Sequence, residues 1–241
     1  MTSKKQLCTS RDGSITYTTD DNFIYAEKEG VTLRLDLFDR HYYKLRPYRG
    51  VPILEIDGLR MQLVKDFRTP LDYAKEVSRQ LKIGSKKDAV VLDTCMGLGY
   101  TAIEASKKRG AKLVMAVEIS DAVFTLAKWN PFSEPLWDKT GNILPVRGDI
   151  SDLIKDFDSE LFSYVIHDPP RFSHAPELYS LEFYKELYRV CKNGANIFHY
   201  TGSVGRKKGR KIHQEIEKRL RSAGFRKIRY APRLQGLLFN K

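Results

Sequence analysis

The sequence predicts an α/β protein: an open, doubly wound sheet preceded by a small β-rich extension. Three observations predict it. An apolar run, Ala89–Leu92, ends on Asp93, passes through Gly97-Leu98-Gly99 and enters a helical stretch, Tyr100–Ala105, which is a strand–turn–helix unit. Further apolar runs at 111–117, 143–147 and 162–167 each lead into an acidic residue. Residues 1–69 instead hold short alternating stretches separated by turn signals.

In chain order, Ser14–Thr18 and Val31–Leu37 alternate apolar and polar residues and read as antiparallel strands. Val51–Ile56 and Met61–Val64, joined through Asp57-Gly58, suggest a hairpin. Between them, His41–Arg49 mixes aromatic and basic residues. That composition suits stacking on unpaired bases, and equally suits filling the seam between extension and core. Thr69-Pro70-Leu71-Asp72 starts a helix, with Thr69 as cap and Pro70 in the first turn. This sets the expected boundary: residues 1–69 form the extension, a possible RNA contact, and residues 70–241 the catalytic domain.

The strand ends carry the chemistry. Glycines at 97 and 99 permit a tight turn and close approach of a ligand to the backbone. Gly97-x-Gly99-x-x-Ala102 also fits a loose dinucleotide fingerprint. Asp93 separates the two readings, because a pyrophosphate disfavours a carboxylate at the strand end whereas a cationic amino group favours one. S-adenosylmethionine carries such a group and no phosphate. Glu118, ending the run 111–117, is placed to accept ribose hydroxyls, and Asp149 to accept an adenine amine with Ile150 against the ring. Thr94 and Ile119 complete the expected cofactor contacts. Glu118 and Asp149 also suit plain helix caps, as do Ser120 and Ser151. Cys95 in the loop reads as a small apolar filler rather than a nucleophile.

The most specific motif closes the run Phe162–His167: Asp168-Pro169-Pro170-Arg171-Phe172. A carboxylate beside a proline-fixed carbonyl gives two acceptors for one planar amino group. The prolines set φ and remove N–H donors, and Phe172 is available to stack on a flat ring. Asp-Pro pairs are also common turn initiators.

From Lys82 to Lys241 the chain resembles class I S-adenosylmethionine-dependent methyltransferases, through Asp93, Gly97, Gly99, Glu118, Asp149 and Asp168-Pro169-Pro170. That resemblance implies a Rossmann-like methyltransferase sheet. The Asp-Pro-Pro resembles the signature of enzymes that methylate exocyclic amines of nucleobases, where an aromatic residue usually follows. Here Arg171 stands in that place and the aromatic arrives as Phe172. Asp-Pro-Pro-Arg-Phe-Ser, with Glu177–Tyr184 and Phe198–Gly202, is similar to an archaeal family associated with ribosomal RNA, with cytidine N4 the favoured target. The implied catalytic residues are Asp168, Pro169, Pro170 and Phe172, the cofactor is S-adenosylmethionine with S-adenosylhomocysteine as product, and the partner is RNA, ribosomal rather than transfer. The rivals are an aminopropyltransferase-like enzyme acting on a polyamine, a methyltransferase for a protein or small-molecule amine, and a non-catalytic RNA-binding protein.

Charge is unevenly spread. Of the net +12, residues 1–69 hold 12 Lys/Arg against 10 Asp/Glu, residues 70–200 hold 17 against 18, and residues 201–241 hold 13 against 2. Arg206-Lys207-Lys208-Gly209-Arg210-Lys211 follows the strand Ala195–Tyr200 as an expected cationic loop ahead of a helix 211–221. It suits a polyanion beside the active-site mouth, or the solvated face of that helix. Arg171 likewise suits a phosphate, a base edge or plain solvation. At 241 residues the chain is one large domain or a domain with an appendage. No run approaches eighteen apolar residues, and no signal-peptide segment is evident, so a cytoplasmic protein without a membrane partner is expected. Cys8, Cys95 and Cys191 are too scattered for a disulfide framework or zinc site, and no metal is expected.

Overall fold

A computed structural model of the chain describes residues 4–202 and 207–241, with side chains at 207–211 excepted. The extension consists of β1 (Lys5–Thr9), β2 (Thr16–Thr19), β3 (Ile24–Lys28), β4 (Val31–Arg34), β5 (Asp36–Asp39), β6 (His41–Tyr48), β7 (Val51–Ile56) and β8 (Leu59–Arg60). These strands make two antiparallel four-stranded meanders, β1–β4 and β5–β8. The expected strand 31–37 is therefore two. Leu35, buried at the break, donates its N–H to the Ile24 carbonyl, and its own carbonyl accepts from Leu45, so one residue belongs to both sheets. The expected strand at Met61–Val64 does not form. The Gln62 side chain instead accepts the Leu54 N–H at 2.7 Å, taking the place of a backbone partner.

The second part runs α1 (Pro70–Leu81), β9 (Ala89–Asp93), α2 (Tyr100–Ser106), β10 (Ala111–Glu118), α3 (Asp121–Trp129), β11 (Ile143–Arg147), α4 (Ile150–Asp156), β12 (Phe162–His167), α5 (Leu181–Val190), β13 (Cys191–Tyr200), α6 (Lys207–Ala223), β14 (Arg226–Ala231) and β15 (Gly236–Asn240). Thr69 caps α1 in a reciprocal box with Asp72, worth about 1 kcal/mol. The sheet order is β11-β10-β9-β12-β13-β15-β14. The first five strands are parallel, and β15 is antiparallel to both neighbours. This is the doubly wound Rossmann-like sheet expected from the sequence.

Both faces of the sheet are covered, which is why its strands read as continuous apolar runs. Adjacent residues point to opposite sides. Val91, Ile166 and Phe198 join one core with α1, α2, α3 and residues Tyr17, Ile24 and Leu45 of the extension. Leu92, Val165 and Ile197 join the other with α4, α5 and α6. The extension thus shares a core with the sheet. A buried polar knot ties them further: the Tyr100 hydroxyl donates to the Pro52 carbonyl, and Asn130 donates to both Tyr100 and Ser133. Helix α6 begins at Lys207, not near Lys211, so most of the expected cationic loop is its first turn.

Candidate active site

The sheet reverses its winding between β9 and β12, so a crevice opens beyond their carboxyl ends. Register fixes the levels. Ile166 lies opposite Asp93, and His167 lies opposite His199, which lies opposite Leu237. Asp168 therefore emerges just above Asp93 on the adjacent strand.

Asp93 is fully buried. Its Oδ2 accepts from the Thr101 hydroxyl of α2, while Oδ1 is buried with no hydrogen-bond partner among the described residues. Burial, with the charges of Asp168 and Glu118 adding to it, pushes its carboxyl up to about 7. A buried acceptor of this kind suits a cation or an N–H donor. The loop above it is held by the next acid. Glu118 accepts from the backbone N–H of Gly97 and of Ser120, both at 2.9 Å. Gly99 takes φ +76°, and a Cβ there would collide with the Leu136 side chain, so this position admits only glycine without repacking. Ser120 caps α3. Asp149 itself, and not Ser151, caps α4, its Oδ1 accepting the Ser151 N–H at 2.8 Å. Ile150 packs into the core under α4, and Ile119 stands 59% exposed at the mouth.

The Asp-Pro-Pro turn is built differently. Tyr73 of α1 donates to Asp168 Oδ2 at 2.8 Å. Burial raises the Asp168 carboxyl to about 6, and the Tyr73 hydrogen bond opposes that rise. Among the described residues no group donates to the Pro169 carbonyl. The Pro170 carbonyl is instead anchored by the Tyr179 hydroxyl at 2.7 Å. Phe172, 38% exposed, meets the Tyr179 ring edge-on at 5.5 Å between centroids.

Beneath the turn, His167 is fully buried. Its Nε2 is 3.0 Å from the Leu178 carbonyl, which can only accept, so that nitrogen carries the proton. Nδ1 then accepts from the Thr94 hydroxyl at 2.7 Å. Burial lowers the imidazole to about 4, which keeps it neutral. Thr94, expected to touch a cofactor, thus spends its hydroxyl on positioning the turn's support.

No family model matches the chain. A protein of Methanocaldococcus jannaschii, described as uncharacterized, is 43% identical over 220 residues, which span 91% of this chain and 74% of that one. The chain belongs to the family of that archaeal protein. Among solved structures, spermidine synthase from Thermotoga maritima is 16% identical with a TM-score of 0.68, and a spermidine synthase bound to the transition-state analogue AdoDATO is 16% identical with a TM-score of 0.69. Each match covers 96% of this chain and 77% of the other. At that identity the likeness concerns the fold, and its coverage takes in the β-rich extension.

Within this family member, the sequence-expected residues fall into three groups. Asp93, Thr94, Gly97, Gly99, Glu118, Ile119, Asp149 and Ile150 lie along the carboxyl edge of β9–β11, and Asp168, Pro169, Pro170, Arg171 and Phe172 beyond β12. Arg171 is exposed, close enough to Tyr200 to act on its hydroxyl electrostatically. Arg206 lies outside the described residues. Of Lys207, Lys208, Arg210 and Lys211 only the helical backbone is described. The sequence reading missed Tyr73, Thr101, His167 and Tyr179. Thr101 had a signal, one turn into the helix that follows the glycines; Tyr73 meets the site across 95 residues of chain, while His167 and Tyr179 lie beside the motif but among apolar residues that read as core.

The His41–Arg49 segment is mostly turned inward. Tyr43 is buried, Tyr42 donates to Asp36, and Lys44 and Arg46 both pair with Glu55. Among the described residues no cluster of three or more His, Cys, Asp or Glu is placed to hold a metal ion, and no helix is long and apolar enough to cross a membrane.

Proposed function

We propose that this protein is an S-adenosylmethionine-dependent N-methyltransferase acting on an exocyclic amine of a base in RNA, cytidine N4 of ribosomal RNA being the favoured target. One observation carries the reading. Two acceptors, Asp168 Oδ1 and the Pro169 carbonyl, stand together at the switch point with no donor assigned to either among the described residues. The orphaned Oδ1 of Asp93 lies on the next strand.

The cofactor side fits its group. Asp93 Oδ1 would accept the cationic amino group, the Gly97–Gly99 turn admits close approach, and Glu118 and Asp149 keep acceptor lone pairs for hydroxyl and amine donors. When bound, S-adenosylmethionine supplies a sulfonium methyl and leaves as S-adenosylhomocysteine. The protein's task is the amine. In cytosine or adenine that nitrogen's lone pair is delocalised into the ring. Hydrogen bonds from both N–H groups to Asp168 and Pro169 draw the nitrogen toward sp³ geometry and free the pair; as the nitrogen takes the methyl it becomes cationic, and the N–H proton facing Asp168 passes to that carboxylate. Tyr73 holds the Asp168 carboxylate and Tyr179 anchors the carbonyl of the next residue, Pro170, so little reorganisation of the turn is needed at the moment of reaction. The base must be unpaired or flipped to reach such a turn.

A polyamine reading has the fold likeness in its favour. Against it stands the excess of 13 Lys/Arg over 2 Asp/Glu in residues 201–241, which repels a polycation. The test runs methyl-labelled S-adenosylmethionine with unmodified ribosomal RNA, transfer RNA, DNA and cytidine-free RNA, and decarboxylated S-adenosylmethionine with putrescine. Digestion and mass spectrometry then identify the products. Label in an N-methylated base of RNA is the expected outcome. Spermidine formation, or no label in any nucleic acid despite cofactor binding, removes the RNA reading.

A further inference from the structure

Arg233 occupies the turn between β14 and β15, Pro232–Leu234, and register places that turn at the catalytic edge. Gly236, which follows it, pairs with Tyr200, one residue beyond the His167–His199 level, and Thr201 donates its N–H to the Gln235 carbonyl. The guanidinium is exposed, yet it is not free to wander. Its Nε and Nη2 donate to the Asp66 carbonyl at 3.3 and 3.2 Å, and its plane sits over the Phe67 ring, 4.6 Å from the centroid. Phe67 meets Tyr73 edge-on at 5.4 Å, and Tyr73 holds Asp168. The cation is therefore docked two ring contacts from the proposed amine site.

Its donor count is what matters. A guanidinium has five N–H groups, and two are spent on one carbonyl. Among the described residues Nη1 has no partner. Glu76, whose carboxylate feels this charge, is already committed to Arg79 and Gln80. Lys65 and Arg68 are exposed on either side of Phe67, and Arg171 is exposed across the site beyond β12. An arginine whose stacking and register are fixed in advance loses little entropy when it engages an anion, and its fork matches phosphate geometry.

We infer that Arg233 is a pre-positioned phosphate clamp that seats the backbone of a single-stranded RNA while the base beside that phosphate enters the Asp168 site. The inference rests on the RNA reading and adds a residue that orients the substrate from outside the reacting centre. It also makes the mouth hostile to a polycation.

The test compares wild type with Arg233→Met, which keeps apolar cover over Phe67 but drops the charge, and with Arg233→Lys, which keeps the charge but loses the fork. Binding to poly(C) is measured across a salt series, with thermal melting and S-adenosylmethionine binding as checks of folding. Losing one phosphate contact on a single strand should flatten the slope of log affinity against log salt by about 0.7. Arg233→Met should show that flattening and raise KM for RNA about tenfold with kcat little changed; Arg233→Lys should keep the slope and lose part of the affinity. An unchanged slope in Arg233→Met, with wild-type RNA methylation intact, overturns the clamp and leaves the RNA reading standing. A wild-type protein that neither binds nor methylates RNA overturns the reading beneath it, and the clamp with it.

Discussion

The two sides of the crevice are assembled by different means. On the β9–β11 side, loop backbone does the holding: Glu118 is satisfied by the N–H groups of Gly97 and Ser120, and Asp149 by that of Ser151. Each of these contacts spans at most 21 residues of chain. On the β12–β13 side, side chains do it. Tyr73 reaches Asp168 across 95 residues, Thr94 reaches His167 across 73, and Tyr179 pins Pro170 from a separate turn. A loop held by its own backbone tolerates change in the side chains around it, so long as the glycines remain. A turn held by hydroxyls and an imidazole depends on each of them. In the proposed function the first side grips the cofactor and the second sets the angle of an amine.

The largest break in this comparison is Asp168→Ala. It should lower kcat by about a thousandfold, in line with removing a preorganised group from a reacting centre, while cofactor affinity measured by calorimetry stays within about twofold. Equal loss of both would move Asp168 to the cofactor side. Asp93→Asn should do the reverse. Losing a charged partner for a cationic amine costs about 2 kcal/mol, or about thirtyfold in cofactor affinity. The same change should raise the thermal midpoint at pH 8. A carboxyl whose folded value is raised to about 7 binds more protons folded than unfolded between its ordinary range and pH 7, so its ionisation erodes stability as pH climbs through that window. Asparagine removes the erosion.

A pH profile sharpens the contrast at smaller amplitude. In the proposed reaction both carboxyls serve as ionised acceptors, with Asp93 raised to about 7 and Asp168 to about 6. For the free enzyme kcat/KM should therefore rise with pH through 6 to 7 and level off above, the limb belonging to the coupled pair. Tyr73→Phe removes the hydrogen bond that favours ionised Asp168. Its acid limb should shift to higher pH, and kcat should fall about tenfold. A limb that does not move would mean that Tyr73 only packs.

How much of this was legible in the sequence follows the same divide. The strand ends at Asp93, Glu118 and Asp149, the glycine turn, and Asp168-Pro169-Pro170 are local patterns, and residues a few positions apart carry all the information. The sheet followed because continuous apolar runs are what burial on both faces requires. Arg226–Ala231 and Gly236–Asn240 escaped notice because the first alternates charges that face solvent and the second is short and flanked by an irregular turn. Leu35 broke an alternating stretch by serving two sheets at once, which no periodicity encodes. Tyr73, His167 and Tyr179 were invisible for another reason: a tyrosine or histidine in an apolar helix or strand looks like core until the fold brings a carboxylate, a threonine or a proline carbonyl against it.

Tyr179→Phe should give the smallest effect and separates support from packing. The ring is 2% exposed and edges Phe172 and His199, contacts that phenylalanine keeps. Only the hydroxyl on the Pro170 carbonyl is lost. Pro170 is exposed, so water can take over that carbonyl and the cost to folding stays near about 1 kcal/mol. The turn, however, loses the anchor that aims the preceding Pro169 carbonyl. With the cofactor side untouched, kcat should drop about fivefold at unchanged cofactor affinity, and the loss should be smaller for a second methylation than a first. A once-methylated amine has a single N–H, which Asp168 can take alone, so the second acceptor becomes redundant and a loosened Pro169 weighs less. Single-turnover measurement of mono- and dimethylated product on one RNA reads both numbers. Equal losses at the two stages would mean that the Pro169 carbonyl does not take part in holding the amine.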